Sequence, residues 1–338
     1  MANKPHLTVE DSLTKDAPLS RLHMAYKHSY TSDSCCAAAK KTAPIDIDIK
    51  STMLAVEAAI AIVINGIHYA VLMASPYQLE YLAIGFLYSE GLIQHSHDLL
   101  DWDVTQLTDV KSYQNFMPAS SSQDNFIEDS LTHHITDEPI SLHTLSEQLQ
   151  DYDVYVVELV LNQRCHQRIQ AQRRQLAGRT GCGMCGITGL TQALPDLSTY
   201  IKTKHPLSIA VPTLDELLNI QAQVNEAQHT HQLTGAVHAA ATLYEQQLYL
   251  FEDVGRHNAL DKLIGWQLRH KAEVNYVLMT SRLSIELVQK SIRSRITWLI
   301  GMSAPTSTAV RIAERYGLGL AGFLRDNRVT YYTSYNDS

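Results

Sequence analysis

The sequence predicts an α/β protein in two parts. In the second half, apolar runs at 248–251, 276–279 and 298–302 each lead through a polar loop into a segment with helical spacing. Alternation of this kind builds a largely parallel sheet covered by helices. The first half reads differently. Alternating strands meet at Asn65-Gly66 and precede one amphipathic helix, as in an α+β domain.

Residues 1–44 hold few apolar positions and end in Ala43-Pro44, the pattern of a poorly ordered extension that contains Cys35 and Cys36. From Ile45, isoleucines alternate with Asp46 and Asp48, which predicts a half-buried strand. Residues 57–64 and 68–73 form a hairpin around Asn65-Gly66. Ser75-Pro76 stops the second strand, and Leu79, Leu82, Ala83, Phe86 and Leu87 give the helix 78–90, with Gly91 placed to cap it. Residues 112–138 are rich in Ser, Asn, Asp and His and read as an insertion; 153–161 is a strand. Residues 45–177 therefore form the N-terminal domain, 178–204 a linker with a glycine-rich loop, and 205–335 the C-terminal domain. In the latter, 215–227 is an amphipathic helix and 235–243 a short helix of small residues. Helices follow at 259–270, 284–293 and 308–316, and 320–324 is a last strand.

Composition narrows the function. The chain has 338 residues and a formal net charge of −8, which argues against a nucleic-acid-binding surface. Residues 1–30 lack the apolar core of a signal peptide, and the longest apolar stretch, 58–64, is far too short to span a bilayer. Five cysteines without an even framework fit a reducing cytosol, so a cytoplasmic protein with no membrane partner is expected.

Residues 179–186 read Arg-Thr-Gly-Cys-Gly-Met-Cys-Gly, with Cys182 and Cys185 in a C-x-x-C pair. Glycines expose successive backbone N–H groups, which favour an anion such as a thiolate, and Arg179 adds positive charge. A structural zinc half-site would need two further ligands, and there is no second C-x-x-C. A thioredoxin-type dithiol would open a helix directly after a buried strand, whereas here residues 168–174 are charged and polar. The pattern favours a mobile loop carrying a reactive cysteine and no bound metal.

In α/β sheets, ligands sit at the carboxyl ends of strands. The loops there hold Gly255, Arg256, His257 and Asn258, then Ser281 and Arg282, then Arg325 and Arg328. Arginines beside helix N-termini suit a phosphorylated ligand. Each loop could instead merely cap its helix, Ser303 and Ser307 being ordinary capping residues. His238 precedes a helix-opening loop as in zinc deaminases, but Ala240 stands where their catalytic glutamate is needed.

These motifs together resemble the FdhD family of formate dehydrogenase accessory sulfurtransferases. The resemblance rests on 179–186, Thr234-Gly-Ala-Val-His-Ala-Ala, the run from Glu252 to Lys262, Thr280-Ser-Arg-Leu-Ser, Ser303-Ala-Pro-Thr-Ser and the stretch from Gly85 to Gly91. It implies a cytoplasmic homodimer with a C-terminal domain similar to the three-layer α/β cytidine deaminase fold. It implies a sulfur carrier that takes persulfide sulfur from a cysteine desulfurase. The sulfur passes to the molybdenum (or tungsten) bis-guanine-dinucleotide cofactor of formate dehydrogenase, bound only transiently. By the same resemblance, Cys182 carries the persulfide and Cys185 assists, while Phe323, Leu324, Arg325, Asp326, Asn327 and Arg328 hold the cofactor. The rival reading is a non-catalytic chaperone of that cofactor with a structural or redox C-x-x-C.

Overall fold

The structure, a computed structural model, describes residues 19–29, 46–112, 151–173, 195–200, 211–325 and 327–333. Three sheets are present among them. β1 (Ser20–Ser29) and β2 (Asp46–Ala55) pair antiparallel as a separate two-stranded sheet. β3 (Ala58–Ile64), β4 (Ile67–Ala74), β5 (Leu99–Leu107) and β6 (Asp153–Leu161) form a four-stranded sheet in the order β4-β3-β6-β5. The hairpin turns at Asn65 and Gly66, both at positive φ (49° and 76°), as a primed two-residue turn requires. α1 (Leu79–Ser89) buries Leu79, Leu82, Ala83 and Leu87 on one face of this sheet against Ile60, Ile62, Val157 and Leu159. It ends at Glu90, followed by Gly91 at φ 76°. α2 (Gln163–Arg173) follows β6, and its Ile169 joins the same core.

The C-terminal part is a three-layer sandwich. α3 (Leu214–Ala227) starts with a capping box: Glu216 N donates to Thr213 Oγ1, and Thr213 N donates to Glu216 Oε2 at 2.8 Å. Its Leu217, Ile220 and Val224 cover one sheet face. The short α4 (His229–Thr234) turns at Gly235 into β7 (His238–Tyr244). Next come β8 (Gln247–Asp253), α5 (Arg256–His270), β9 (Tyr276–Met279), α6 (Ile285–Arg293), β10 (Trp298–Gly301) and α7 (Ser307–Tyr316). β11 (Gly319–Arg325) and β12 (Arg328–Tyr331) complete a six-stranded sheet, β12-β11-β10-β9-β7-β8. Helices α5, α6 and α7 cover the opposite face through Leu260, Leu263, Leu287, Val288, Ala309 and Ala313.

The two parts are fastened where α1 crosses α5. A Cβ on Gly85 would run into the Asp261 carbonyl, and one on Gly265 into the Tyr81 carbonyl. Only glycines let these backbones touch. Beneath the crossing, Lys290 donates to both Asp261 oxygens at 3.0 and 2.9 Å and to Ser89 Oγ at 2.7 Å.

Several expectations are corrected. Residues 235–243 are a turn and strand β7, not a helix. Ala239–241 are small because the strand is central: Ala240 faces the α5–α7 layer and Ala241 faces α3. The C-terminal sheet is mixed: β9, β10 and β11 are mutually parallel, and β7 lies antiparallel between β8 and β9. Residues 20–29, within the stretch read as an extension, form β1. β2 is a strand but not half-buried, because only β1 pairs with it; Ile47 and Ile49 are exposed. Residues 163–173, which run into the charged and polar segment noted before the cysteine pair, are helical. Most of the expected insertion, from residue 113 on, lies outside the described residues.

Candidate functional site

Strand direction assembles the site. β8 runs parallel to β9, since both are antiparallel to β7, and β10 and β11 follow β9. The carboxyl ends of these four strands therefore share one edge, together with the start of β7 at His238 and of β12 at Arg328. Gly255, Arg256, His257, Ser281, Arg282, Phe323, Arg325, Asn327 and Arg328 all lie along it.

At the end of β8, a buried network sets the geometry. Asp253 and Lys262 have no exposed side-chain surface and sit 2.7 Å apart. Asp253 Oδ2 also accepts from Ser75 N at 3.1 Å, while its Oδ1 accepts from Gly255 N at 2.8 Å and Asn258 Nδ2 at 3.0 Å. Asn258 Nδ2 donates further to Met73 O at 2.8 Å, tying this loop to β4. Asn258 is thus an internal fastener and not a ligand contact. Gly255 lacks a Cβ because one would lie 2.7 Å from the Asn258 amide nitrogen.

With the loop held this way, the first turn of α5 presents Arg256 and His257. Arg256 Nε is buried with no hydrogen-bond partner among the described residues. A guanidinium N–H left so costs free energy that an acceptor from a ligand would recover. Burial first, and then the Arg256 charge, hold His238 below the ordinary imidazole range, so it stays neutral at pH 7. His257 Nε2 lies 3.4 Å from Ser284 Oγ and 3.8 Å from Glu286 Oε2. The imidazole beside it holds Glu286 at about 2. Neither α5 nor α6 has a side-chain cap on its N-terminus, Gly255 and Ser284 being the N-cap residues. The start of α5 keeps N–H groups for an anion, whereas at the start of α6 the Glu286 carboxyl already accepts its own backbone N–H.

At the far end of the edge the β11–β12 pairing shifts register between Gly322 and Arg325. Phe323 adopts φ 54° there, a costly conformation for a bulky residue, roughly 1–3 kcal/mol. Its ring lies 5.6 Å from the Arg325 guanidinium carbon, a cation–π contact that steadies an exposed arginine. Leu324, by contrast, is fully buried against α3 and cannot touch a ligand. Ser281 is buried with its hydroxyl donating to Arg282 O at 3.2 Å, whereas Arg282 is exposed. The helix cap before α7 is Thr306, not Ser303 or Ser307.

Asp326, Cys182 and Cys185 lie outside the described residues. Cys165 is a free thiol buried in the N-terminal core. The sequence reading missed Glu286, Asp253 and Lys262 as site-shaping residues. Lys262 had a signal: it falls on the apolar row Ala259–Leu263–Trp266 of α5, where a charge demands a buried partner. Glu286 had none, since its spacing from His257 obeys no periodicity.

The fold and edge define a three-layer α/β protein that gathers arginines and an open helix start at its strand ends, an architecture for binding an anionic ligand. The sequence profile of the FdhD/NarQ family matches residues 55–337. The chain is 35% identical to the sulfur carrier protein FdhD of Shewanella oneidensis over 280 residues, 82% of this chain and 83% of the relative. It is 34% identical to that of Acinetobacter baylyi over 280 residues, 82% and 85% of the two chains. The solved structure of a formate dehydrogenase accessory protein from Desulfotalea psychrophila shares the fold. The TM-score is 0.57 at 17% identity, covering 94% of this chain and 99% of that one. The chain belongs to the FdhD/NarQ family. Among the described residues, no helix is long and apolar enough to cross a membrane.

Proposed function

We propose that this chain is a cytoplasmic sulfurtransferase serving formate dehydrogenase. Cys182 thiolate attacks the outer sulfur of a cysteine desulfurase persulfide, the S–S bond breaks, and the desulfurase thiolate leaves. Cys185 thiolate then attacks the inner sulfur of Cys182–S–SH, forming a Cys182–Cys185 disulfide and releasing hydrosulfide, which passes to the metal of the bis-guanine-dinucleotide cofactor. A thiol reductant resets the pair. The cofactor is cargo, not a resident group. The strand-end face holds its phosphates through Arg256, Arg282, Arg325 and Arg328, with His257, Ser281 and Asn327 beside them. The protein acts as a homodimer.

Likeness to two sulfur carrier proteins over 82% of the chain supports the sulfur role. The observation that carries the binding face is the buried Arg256 Nε, unpartnered among the described residues. The test is intact mass and peptide mapping after incubation with a cysteine desulfurase and cysteine. A reducible gain of about 32 Da, the mass of one sulfur atom, on the peptide 179–186 is expected in the wild type and not in Cys182→Ala. Stoichiometric zinc and no mass gain would turn the pair into a structural site and leave a cofactor chaperone.

A further inference from the structure

We propose that the cavity at the C-terminal ends of α5 and α6 is a second ligand site, separate from the strand-end face. It is built for a phosphate-bearing molecule of about mononucleotide size. The cavity measures about 440 Å³, within the usual range for small-molecule sites. Lys271, on its wall, stands about 22 Å along α5 from Arg256 at 1.5 Å per residue. The proposal is independent of whether the strand ends take a cofactor.

The lining is one-sided in charge. Lys271, Arg295, His95 and His97 contribute to it, and among the described residues no carboxylate does. A lysine and an arginine after helix C-termini usually neutralise the helix dipole or cap its carbonyls. Here backbone groups already serve those carbonyls. Lys271 N and Ala272 N donate to Gln267 O, Ser294 N to Lys290 O, and Ile296 N to Ser291 O. Neither cationic side chain makes a hydrogen bond or ion pair among the described residues. Both residues sit in the left-handed region, Lys271 at φ 52° and Arg295 at φ 56°, where glycine is the low-cost choice. Two cations accepted at that conformational cost, and left unpaired at one cavity, point to an anion.

Gln267 supplies the second requirement. Its Nε2 donates to Ser294 O at 3.2 Å, which fixes the amide and leaves Oε1 buried with no partner among the described residues. That oxygen calls for a ligand N–H or O–H, as on a sugar or a base. Ile264, Leu268 and Ala272 add an apolar wall for the uncharged part of the molecule.

A metal ion is the competing occupant, because ligand atoms of His95, His97 and Asp98 come within 4.8 Å of one another. However, Asp98 is already engaged. Oδ2 accepts from Gln94 N at 2.9 Å and His95 N at 3.1 Å, and Oδ1 from Asn162 Nδ2 at 2.9 Å. The two imidazoles stack 4.8 Å apart at 19°, so their nitrogens run side by side and do not converge on one point. They offer ring N–H donors to an anion.

The test is calorimetric titration of the full-length chain with 5′-GMP, with guanosine, and with Zn²⁺ alone. A GMP-binding step is expected that guanosine does not reproduce. The cavity step should weaken at least ten-fold in Lys271→Gln/Arg295→Gln and persist in Arg256→Gln, whereas any second GMP step at the strand ends should respond the other way. His97→Ala, an exposed change that leaves the fold intact, should weaken the cavity step several-fold and guards against a folding defect in the double variant. GMP binding lost only in Arg256→Gln would overturn the proposal. So would saturable Zn²⁺ binding abolished by His97→Ala with no GMP step at the cavity.

Discussion

His238 and Arg256 show how one charge reports on another. His238 titrates below its ordinary 6.5 because burial and the neighbouring guanidinium both oppose its protonation. A histidine with a depressed folded value is protonated more readily when unfolded. It therefore costs stability as pH falls below 6.5 towards the folded value. We predict that its imidazole resonance titrates below 6.5 and moves up in Arg256→Gln; an unmoved midpoint would mean that Arg256 does not face His238. Glu286 runs the other way. Its carboxyl, held at about 2 against an ordinary 4.5, stabilises the fold above 4.5, and that contribution fades as pH drops towards 2. Glu286→Gln should flatten the acid limb of the stability profile over that interval. The Asp253–Lys262 pair is fully buried. Lys262→Met alone should cost on the order of 3–5 kcal/mol in urea denaturation, because it strands a buried carboxylate. Adding Asp253→Asn should recover part of that loss.

The contact of α1 with α5 depends on two missing side chains. Gly265→Ala places a methyl against the Tyr81 carbonyl, where backbone and not a flexible tip would have to move. Overpacking of this kind costs about 1–3 kcal/mol. Gly235→Ala provides the contrast: nothing lies within 4 Å of its Cβ, so only the strain of φ 67° is at stake. Denaturation midpoints should fall further for Gly265→Ala; equal losses would mean that the helices can separate freely. Because α5 also carries Asn258 and Lys262, spreading the crossing should disturb the strand-end face as well, and ligand affinity there should fall with stability.

At the level of the whole molecule, apolar surface is exposed among the described residues. Leu22, Met24 and Tyr26 of β1 share a face with Ile47 and Ile49 of β2, and Leu22 and Tyr26 are 68% and 69% exposed. A two-stranded ribbon is at best marginal in water by itself, and a naked apolar face marks an association surface. The outer face of the four-stranded sheet exposes Val71 and Met73 in the same way. Both features support the proposed homodimer. Leu22→Lys/Tyr26→Lys is expected to shift the chain to monomer in sedimentation velocity without lowering its melting temperature by more than a few degrees. A dimer that survives the change would place the interface elsewhere.

Local pattern was enough for much of this. The Asn65-Gly66 hairpin, α1, α3, β6, β9 and the strand–helix succession after residue 247 all follow from apolar periodicity and turn chemistry. The common edge of the arginine loops follows from that succession, because strands joined by crossover helices run parallel and bring their carboxyl ends to one side. Periodicity could not reveal β7. Alanine favours helices when isolated, and only burial between two helix layers makes Ala239–241 a strand. Nor could it separate Arg256, which is free to meet a ligand, from Asn258 two residues on, which bonds to Met73 from the other half of the chain. The residue types at the site were set by the linear order of amino acids. Which of them face outward was decided by contacts between segments nearly two hundred residues apart, such as Asn258 with Met73 and Asp253 with Ser75. Partners that distant leave no trace in local sequence, since burial and hydrogen bonding are properties of the packed chain.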